Sequence, residues 1–251
     1  PFVLNRKTIG GKIFSFIYLN VSYKLPDGMI LMTRNLITYF RRYVKKNTNL
    51  LHAPMTVETK RFDNDKLRKN TQEEYVAYCG NMEDSKDGII NLLEAFTVFK
   101  QEFPNTKLYL IGEPPVKEKD KLYSVIRNND LDQNVIITGY IKRERLPEFL
   151  INAKLLLLAR PSSLQAEGGF PTKLGEYLAT GVPVVVTNVG EINNYLHDQK
   201  NAFICRPDDY LEFANKMIYA YKNYDFALEV ANNGKNIALE YFDHLKVSEK
   251  I

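Results

Sequence analysis

The sequence predicts an α/β protein built on a doubly wound parallel sheet. From residue 75 onward, short apolar stretches of strand length alternate with longer stretches of helical spacing. The strand-like stretches, such as "KLLLLA" and "VPVVVT", are apolar throughout, as expected of strands covered on both faces. Six strands alternate in this way, enough for a complete doubly wound domain.

Residues 12–24, "KIFSFIYLNVSYK", are apolar and aromatic with lysines at both ends. "GMILMT" (28–33) follows the turn signal "LPDG" and reads as a buried strand. "RNLITYFRRYVKK" carries Leu36, Ile37, Phe40 and Tyr43 at helical spacing, and "TNLLHAPMTV" reads as a second strand. The polar stretch 58–74 is the best linker candidate, which divides the chain into 1–57, the linker 58–74, and a domain over 75–251. In that domain "YVAYCG" predicts a strand, 89–103 a helix with apolar positions 89, 92, 93, 96 and 99, and "KLYLIG" a strand. A helix over 119–131, the strand "NVIITG", a short helix over 145–153 and the strand "KLLLLA" come next. "VPVVVT", a helix over 191–197 and the strand "AFICR" complete the sheet, and helices over about 209–222 and 225–242 close the chain.

With 45% hydrophobic and 25% charged residues, the composition is that of an ordinary globular protein. No apolar run reaches the length of a membrane span. The two cysteines, Cys79 and Cys205, lie far apart in apolar runs and read as buried thiols of a reducing compartment. The three histidines, at 52, 197 and 244, lack ligand spacing, so no protein-held metal is expected. Charge is unevenly placed: residues 1–72 hold 14 Lys and Arg against 4 Asp and Glu, in a chain of net charge +4. A basic front suits an anionic surface or substrate, or is simply a solvated face. The chain opens at Pro1 without a signal pattern, and the expectation is a piece of a longer protein.

The chemistry is expected in "EGGFPTKLGE" (167–176). In open parallel sheets ligands bind at the carboxyl ends of strands, where loops lead into helices. Gly168 and Gly169 let the backbone approach a ligand, and Pro171 suits the first helical position. Free N–H groups of that first turn attract a phosphate, and Lys173, poorly placed against the helix dipole, makes sense beside an anion. Glu176, one turn further on, can accept hydrogen bonds from a ribose diol. The residues therefore suggest a nucleoside diphosphate, although the same pattern also describes a tight turn into a solvated surface helix.

"EGGFPTKLGEYLATGVPVVVT" resembles the donor-binding segment of retaining GT-B glycosyltransferases of family four. "YCGNMEDSKDGIINLLEAF", "LYLIGE", "NVIITGYIKRERLPEFLINAKLLLLARPS" and "VGEINNYLHDQKNAFICRPDD" resemble the family's other segments and follow in its order, over about residues 75–245. The resemblance implies a GT-B fold: a complete donor-binding domain at 75–251 preceded, in 1–57, by the tail of an acceptor domain. It implies that Glu176 holds the ribose hydroxyls, that Lys86 meets the diphosphate and that Gly80 sits at the phosphate-side turn. Tyr140 and Ile141 would line the base, and the backbone of Phe170 to Thr172 would face the phosphates or the sugar.

Two positions depart from the family pattern. Eight residues separate Glu167 from Glu176 where the family has seven, so Gly168 stands in register with the family's first glutamate. Either a bulge lets Glu167 serve near the donor sugar, or backbone groups replace it. Asn81 stands where many members have an arginine on the diphosphate, and a neutral amide cannot replace that charge. The implied activity is transfer of a sugar from a nucleoside-diphosphate sugar, with retention, to a glycan or lipid-linked acceptor, without metal or cofactor and with Glu176, Lys86 and Glu167 as the catalytic set. A nucleotide-sugar epimerase of the same fold and a non-catalytic nucleotide-binding module are the alternatives. The implied setting is cytoplasmic, with contact to an anionic membrane surface through the basic residues of 1–72.

Overall fold

The computed structural model describes residues 9–63, 67–69 and 73–251. Parts of two sequence readings, the basic front and the linker, lie outside the described residues.

The chain begins with helix α1 (Ile9–Asn20), strand β1 (Gly28–Leu31), helix α2 (Arg34–Phe40) and strand β2 (Asn49–His52). β1 and β2 pair in parallel as a small sheet of their own. The Thr33 hydroxyl caps α2 by accepting the N–H of Leu36. Six further strands follow: β3 (Tyr75–Cys79), β4 (Lys107–Ile111), β5 (Val135–Gly139), β6 (Leu155–Leu158), β7 (Val184–Thr187) and β8 (Phe203–Cys205). They form one parallel sheet in the order β5-β4-β3-β6-β7-β8. The chain winds outward from β3 to β5, then returns to β6 on the other side of β3, so the topological switch point lies between β3 and β6.

Helices α3 (Asp84–Asp87), α4 (Ile89–Glu102), α5 (Val116–Asn128), α6 (Leu146–Ile151), α7 (Leu164–Gly168) and α8 (Thr172–Thr180) connect the strands. Along α4 all five expected apolar positions, Ile89, Leu92, Leu93, Phe96 and Phe99, are buried. Its start is fixed by Asp84, whose Oδ1 accepts the N–H of Ile90 at 3.1 Å. The wholly apolar β6 and β7 are buried along their full length. The thiols of Cys79 and Cys205 are free, and burial raises both pKa values, that of Cys79 to about 11.

Helices α9 (Tyr210–Lys222) and α10 (Tyr224–Ile237) pack behind the sheet, followed by a π-helical turn over 238–242 and helix α11 (His244–Ser248). This end returns to the crossover from β2: Val57 donates to the Phe242 carbonyl at 2.8 Å and accepts from His244 at 3.0 Å. The Thr59 hydroxyl donates to Asp243. Within the stretch read as a linker, residues 59–62 form a 3-10 turn whose Thr59 and Phe62 are buried.

Three local expectations are corrected. The strand read as buried at 28–33 spans Gly28–Leu31 and buries only Leu31, because it lies in a two-stranded sheet that leaves Ile30 exposed. Residues 191–197 form only a 3-10 turn at Ile192–Asn194, because Asn201 Oδ1 takes the N–H of His197 and turns the chain toward β8. Pro171 is the N-cap of α8 rather than its first helical residue.

β3 and β6 pair only at Val76–Leu155 and Ala77–Leu156. Beyond that point they part, and the N–H of Cys79 donates to the buried phenol oxygen of Tyr177 on α8 at 2.6 Å. Tyr177→Phe leaves that amide without an acceptor, at a cost of about 1–3 kcal/mol. The melting temperature should fall by about 2–4 °C per kcal/mol, as read by calorimetry or circular dichroism.

Candidate functional site

The crevice opened by this parting holds a cavity of about 210 Å³. Lys86 and Asp87 reach it from α3, Leu158 and Arg160 from the end of β6, and Gln165 and Gly169–Lys173 from the loop between α7 and α8. Met32, just past β1, closes one side.

The lead-in to α8 presents bare donors. The backbone N–H groups of Phe170, Thr172 and Lys173 find no acceptor among the described residues, while Leu174 bonds back to Pro171. Such a turn, with the positive end of the helix dipole, favours an anion. Lys173 passes over Gly80: a Cβ on Gly80 would stand 3.1 Å from Lys173 Cε and 2.0 Å from the Tyr78 hydroxyl oxygen. Glycine at 80 therefore makes room for the Tyr78 hydroxyl above all, with the Lys173 side chain lying alongside. The ring of Phe170 packs edge-on to Tyr195, with centroids 5.5 Å apart.

Arg160 is buried, with 7% of its surface exposed. Its Nε donates to the Lys86 carbonyl at 3.2 Å. Burial lowers its pKa, while the nearby Asp87 carboxylate raises it. Asp87 is itself buried and accepts the N–H of Glu83 at 3.4 Å.

Glu176 stands outside this cavity, on the next turn of α8, and pairs with Arg61 at 3.3 Å. Arg61 also donates to the carbonyl of Arg143 at 2.6 Å, so it spans from α8 to the loop after β5. Both side chains are mostly shielded, at 14% and 27% exposure, which gives the pair more weight than a surface ion pair.

The loop over 166–169 is held from two sides. The Thr33 hydroxyl donates to the Gly168 carbonyl at 2.9 Å, and Asn35 Nδ2 to the Glu167 carbonyl at 2.9 Å. Buried Glu191 accepts the N–H of Asn35 at 2.6 Å. On the opposite side Gly190 has φ +59, and a Cβ there would lie 2.5 Å from the Ala166 carbonyl oxygen and 2.9 Å from that of Gly169.

Of the residues singled out in the sequence, Lys86, Gly169, Phe170, Pro171, Thr172 and Lys173 meet at this cavity, with Gly80 beneath Lys173. Gly168 is buried against α2, and Glu167 is exposed on α7 and does not line the cavity. Asn81 and Tyr140 are exposed, Tyr140 at 81%, and Ile141 packs against the core. Arg160, Asp87 and Arg61 were not foreseen. A charge directly after an unbroken apolar strand was the available signal for Arg160; nothing in its polar surroundings distinguished Arg61.

Among the described residues no group of three or more His, Cys, Asp or Glu side chains forms a metal site. None of the described helices is long and apolar enough to cross a membrane.

The chain is a doubly wound α/β domain with a cation-lined crevice at the switch point of its sheet. Residues 59–237 match the family Glycosyl transferases group 1, and the chain belongs to that family. It is 22% identical over 228 residues, 88% of this chain, to N-acetyl-alpha-D-glucosaminyl L-malate synthase of Bacillus anthracis. Among solved structures it resembles Anabaena HepE in complex with UDP and glucose, with TM-score 0.78, 18% identity and 93% of this chain covered. It also resembles a mutant of S. aureus TarM in complex with Fondaparinux, alpha-GlcNAc-glycerol and UDP, with TM-score 0.74, 19% identity and 98% of this chain covered. The fold is that of the donor-side domain of GT-B glycosyltransferases. The chain spans 57% of the length of the curated relative, 64% of the HepE chain and 47% of the TarM chain.

Gly190→Ala must either adopt a left-handed backbone with a side chain or push the 166–169 loop. A cost of about 1–3 kcal/mol is expected. The loss should show as a lower melting temperature, and loop displacement as altered backbone amide shifts at Gly168 and Gly169 in heteronuclear NMR.

Proposed function

We propose that this chain binds the nucleoside-diphosphate part of a sugar donor and serves a retaining sugar transfer to a glycan or lipid-linked acceptor. The observation that carries the reading is the meeting of Lys86, Lys173 and the bare N–H groups of α8 in one crevice, with Glu176 one helical turn away. In this arrangement the cations and amides hold the diphosphate. They stabilise the negative charge that builds on it as the bond to the sugar breaks. Glu176, oriented by Arg61, takes the ribose hydroxyls. The UDP bound in the HepE and TarM structures supports a nucleoside diphosphate. The reading places residues 75–251 as the donor domain and 1–57 as part of an acceptor-side domain. Tyr140 and Ile141 line the base, and Gly168 or Glu167 faces the sugar. No resident metal or cofactor enters it.

Calorimetric titration with UDP, GDP and ADP tests the reading. Glu176→Ala removes a carboxylate accepting two hydroxyl bonds and should cost about 2–3 kcal/mol, a thirty- to hundredfold loss in affinity. Unchanged affinity would remove Glu176 from the ribose site.

The reading extends to a membrane-facing front. α1 and the turn after it expose Ile13, Phe16, Ile17, Val21 and Leu25, close in sequence to Arg34, Arg41, Arg42, Lys45 and Lys46. Each basic residue near an anionic bilayer contributes about 1 kcal/mol, screened within a Debye length. Co-sedimentation with anionic vesicles should exceed that with neutral vesicles at low salt and fall as salt rises. Equal binding to both would assign the apolar face to protein packing instead.

A further inference from the structure

We infer that Arg160 is a ligand of the donor's distal phosphate, supplying from the end of β6 the positive charge that position 81 does not provide. The inference rests on the proposed function and adds to it a residue on which neither the sequence pattern nor the comparisons bear.

Only 7% of the Arg160 residue is exposed, and a side chain so placed ordinarily spends most of its five donors on protein partners, because charge taken out of water without hydrogen bonds is costly. Arg160 spends one. Nε donates to the Lys86 carbonyl, and neither terminal nitrogen bonds to any described residue. No carboxylate oxygen lies within ion-pair distance of Arg160 among the described residues, and Asp87 acts on it only through space. The fork is thus held at its near end and left open at its far end.

That open end lies in the wall of the cavity that Lys86 and Lys173 also line, with the unbonded amides of Phe170, Thr172 and Lys173 around it. Three cations and one carboxylate, Asp87, face a space of about 210 Å³. Such a surplus in a partly enclosed cavity repels itself until an anion arrives. A planar fork with two free N–H arms suits two oxygens of one phosphate, a geometry an ammonium cannot match. Glu176 lies one turn along α8 from Lys173 and outside the cavity, so a nucleotide with its ribose at Glu176 directs its distal phosphate toward Arg160. Asn81 is exposed and does not line the cavity, consistent with the charge arriving from β6 instead.

Calorimetric titration of the full chain with UDP, UMP and inorganic pyrophosphate tests the assignment, for the unaltered protein, Arg160→Met and Arg160→Lys. Melting curves without ligand run alongside. Arg160→Met should lose about tenfold or more in affinity for UDP and pyrophosphate, with UMP binding changed far less. Arg160→Lys should recover only part of the loss. Should the methionine variant fail to fold, the lysine variant decides, since it keeps a charge beside Asp87 without the fork. A lowered melting temperature with UDP and pyrophosphate affinity unchanged would make Arg160 a structural counter-charge to Asp87 and overturn the inference, leaving the nucleotide reading intact. Equal loss for UDP and UMP would also overturn it. Arg160-dependent binding of pyrophosphate without binding of UDP or UMP would support the anion ligand while overturning the nucleotide reading. Binding of none of the three would overturn both.

Discussion

The site depends on where two parallel strands stop pairing. β3 and β6 share a ladder only at 76–77 and 155–156; beyond it each strand turns to its own loop, and a crevice opens between them. Parting would leave the Cys79 amide buried without an acceptor, and the phenol of Tyr177 meets that need. One hydrogen bond therefore does two things: it closes the sheet edge that the crevice creates, and it sets α8 against the end of β3. With α8 so placed, its first turn faces the end of β6, and the Lys173 side chain runs beside the bare backbone of Gly80. The crevice, the helix direction and the lysine's route are consequences of a single topological event.

The electrostatics of the crevice run against the protein's own stability. Lys173 stands at the positive end of α8, and Arg160, buried along most of its length, leaves two arms without a protein partner at the cavity. A structure that only had to fold would gain by filling that space with apolar side chains. The opposing contribution from Asp87 is one carboxylate, itself buried against the same walls. Such uncompensated charge is common where a ligand supplies the counter-charge.

Most of the sheet was legible in the sequence, because fully covered parallel strands carry a signal that survives without context. "KLLLLA" and "VPVVVT" have few other folded fates. The helix α4 was legible for a similar reason, since its five apolar positions fall on one face. The 191–197 stretch misled because Ile192 and Leu196 are both buried at helical spacing, while Asn201, from outside the stretch, captured the His197 amide. Helix α11 went unseen because its start depends on Asp243 capping Leu245 and Lys246 beside a long-range bridge to Val57. At the site, the glycine-rich lead-in and its lysine could be read locally. Arg61 could not: its partner is 115 residues away, and only the folded crossover brings it to Glu176.

The front segment bears on the site through few but well-placed bonds. Thr33 and Asn35 hold the carbonyls of Gly168 and Glu167, and Glu191 fastens the Asn35 amide from the other side of the loop. Thr33 also caps α2, so the group that starts that helix also fixes the position of the glycine loop. Each such bond contributes about 0.5–1.5 kcal/mol, more where a charged group accepts. The two bonds to the loop, with Glu191 fastening Asn35, are enough to hold the loop in one arrangement, yet few enough to be given up in a movement of the front segment. Because Gly190 packs against the flanking carbonyls of Ala166 and Gly169 with no room for a Cβ, the loop cannot yield in that direction. Any shift of β1 and α2 must therefore carry the 167–169 backbone with it or break these bonds. Since Met32 also walls the cavity, the same shift changes the shape of the space that faces Lys86 and Lys173.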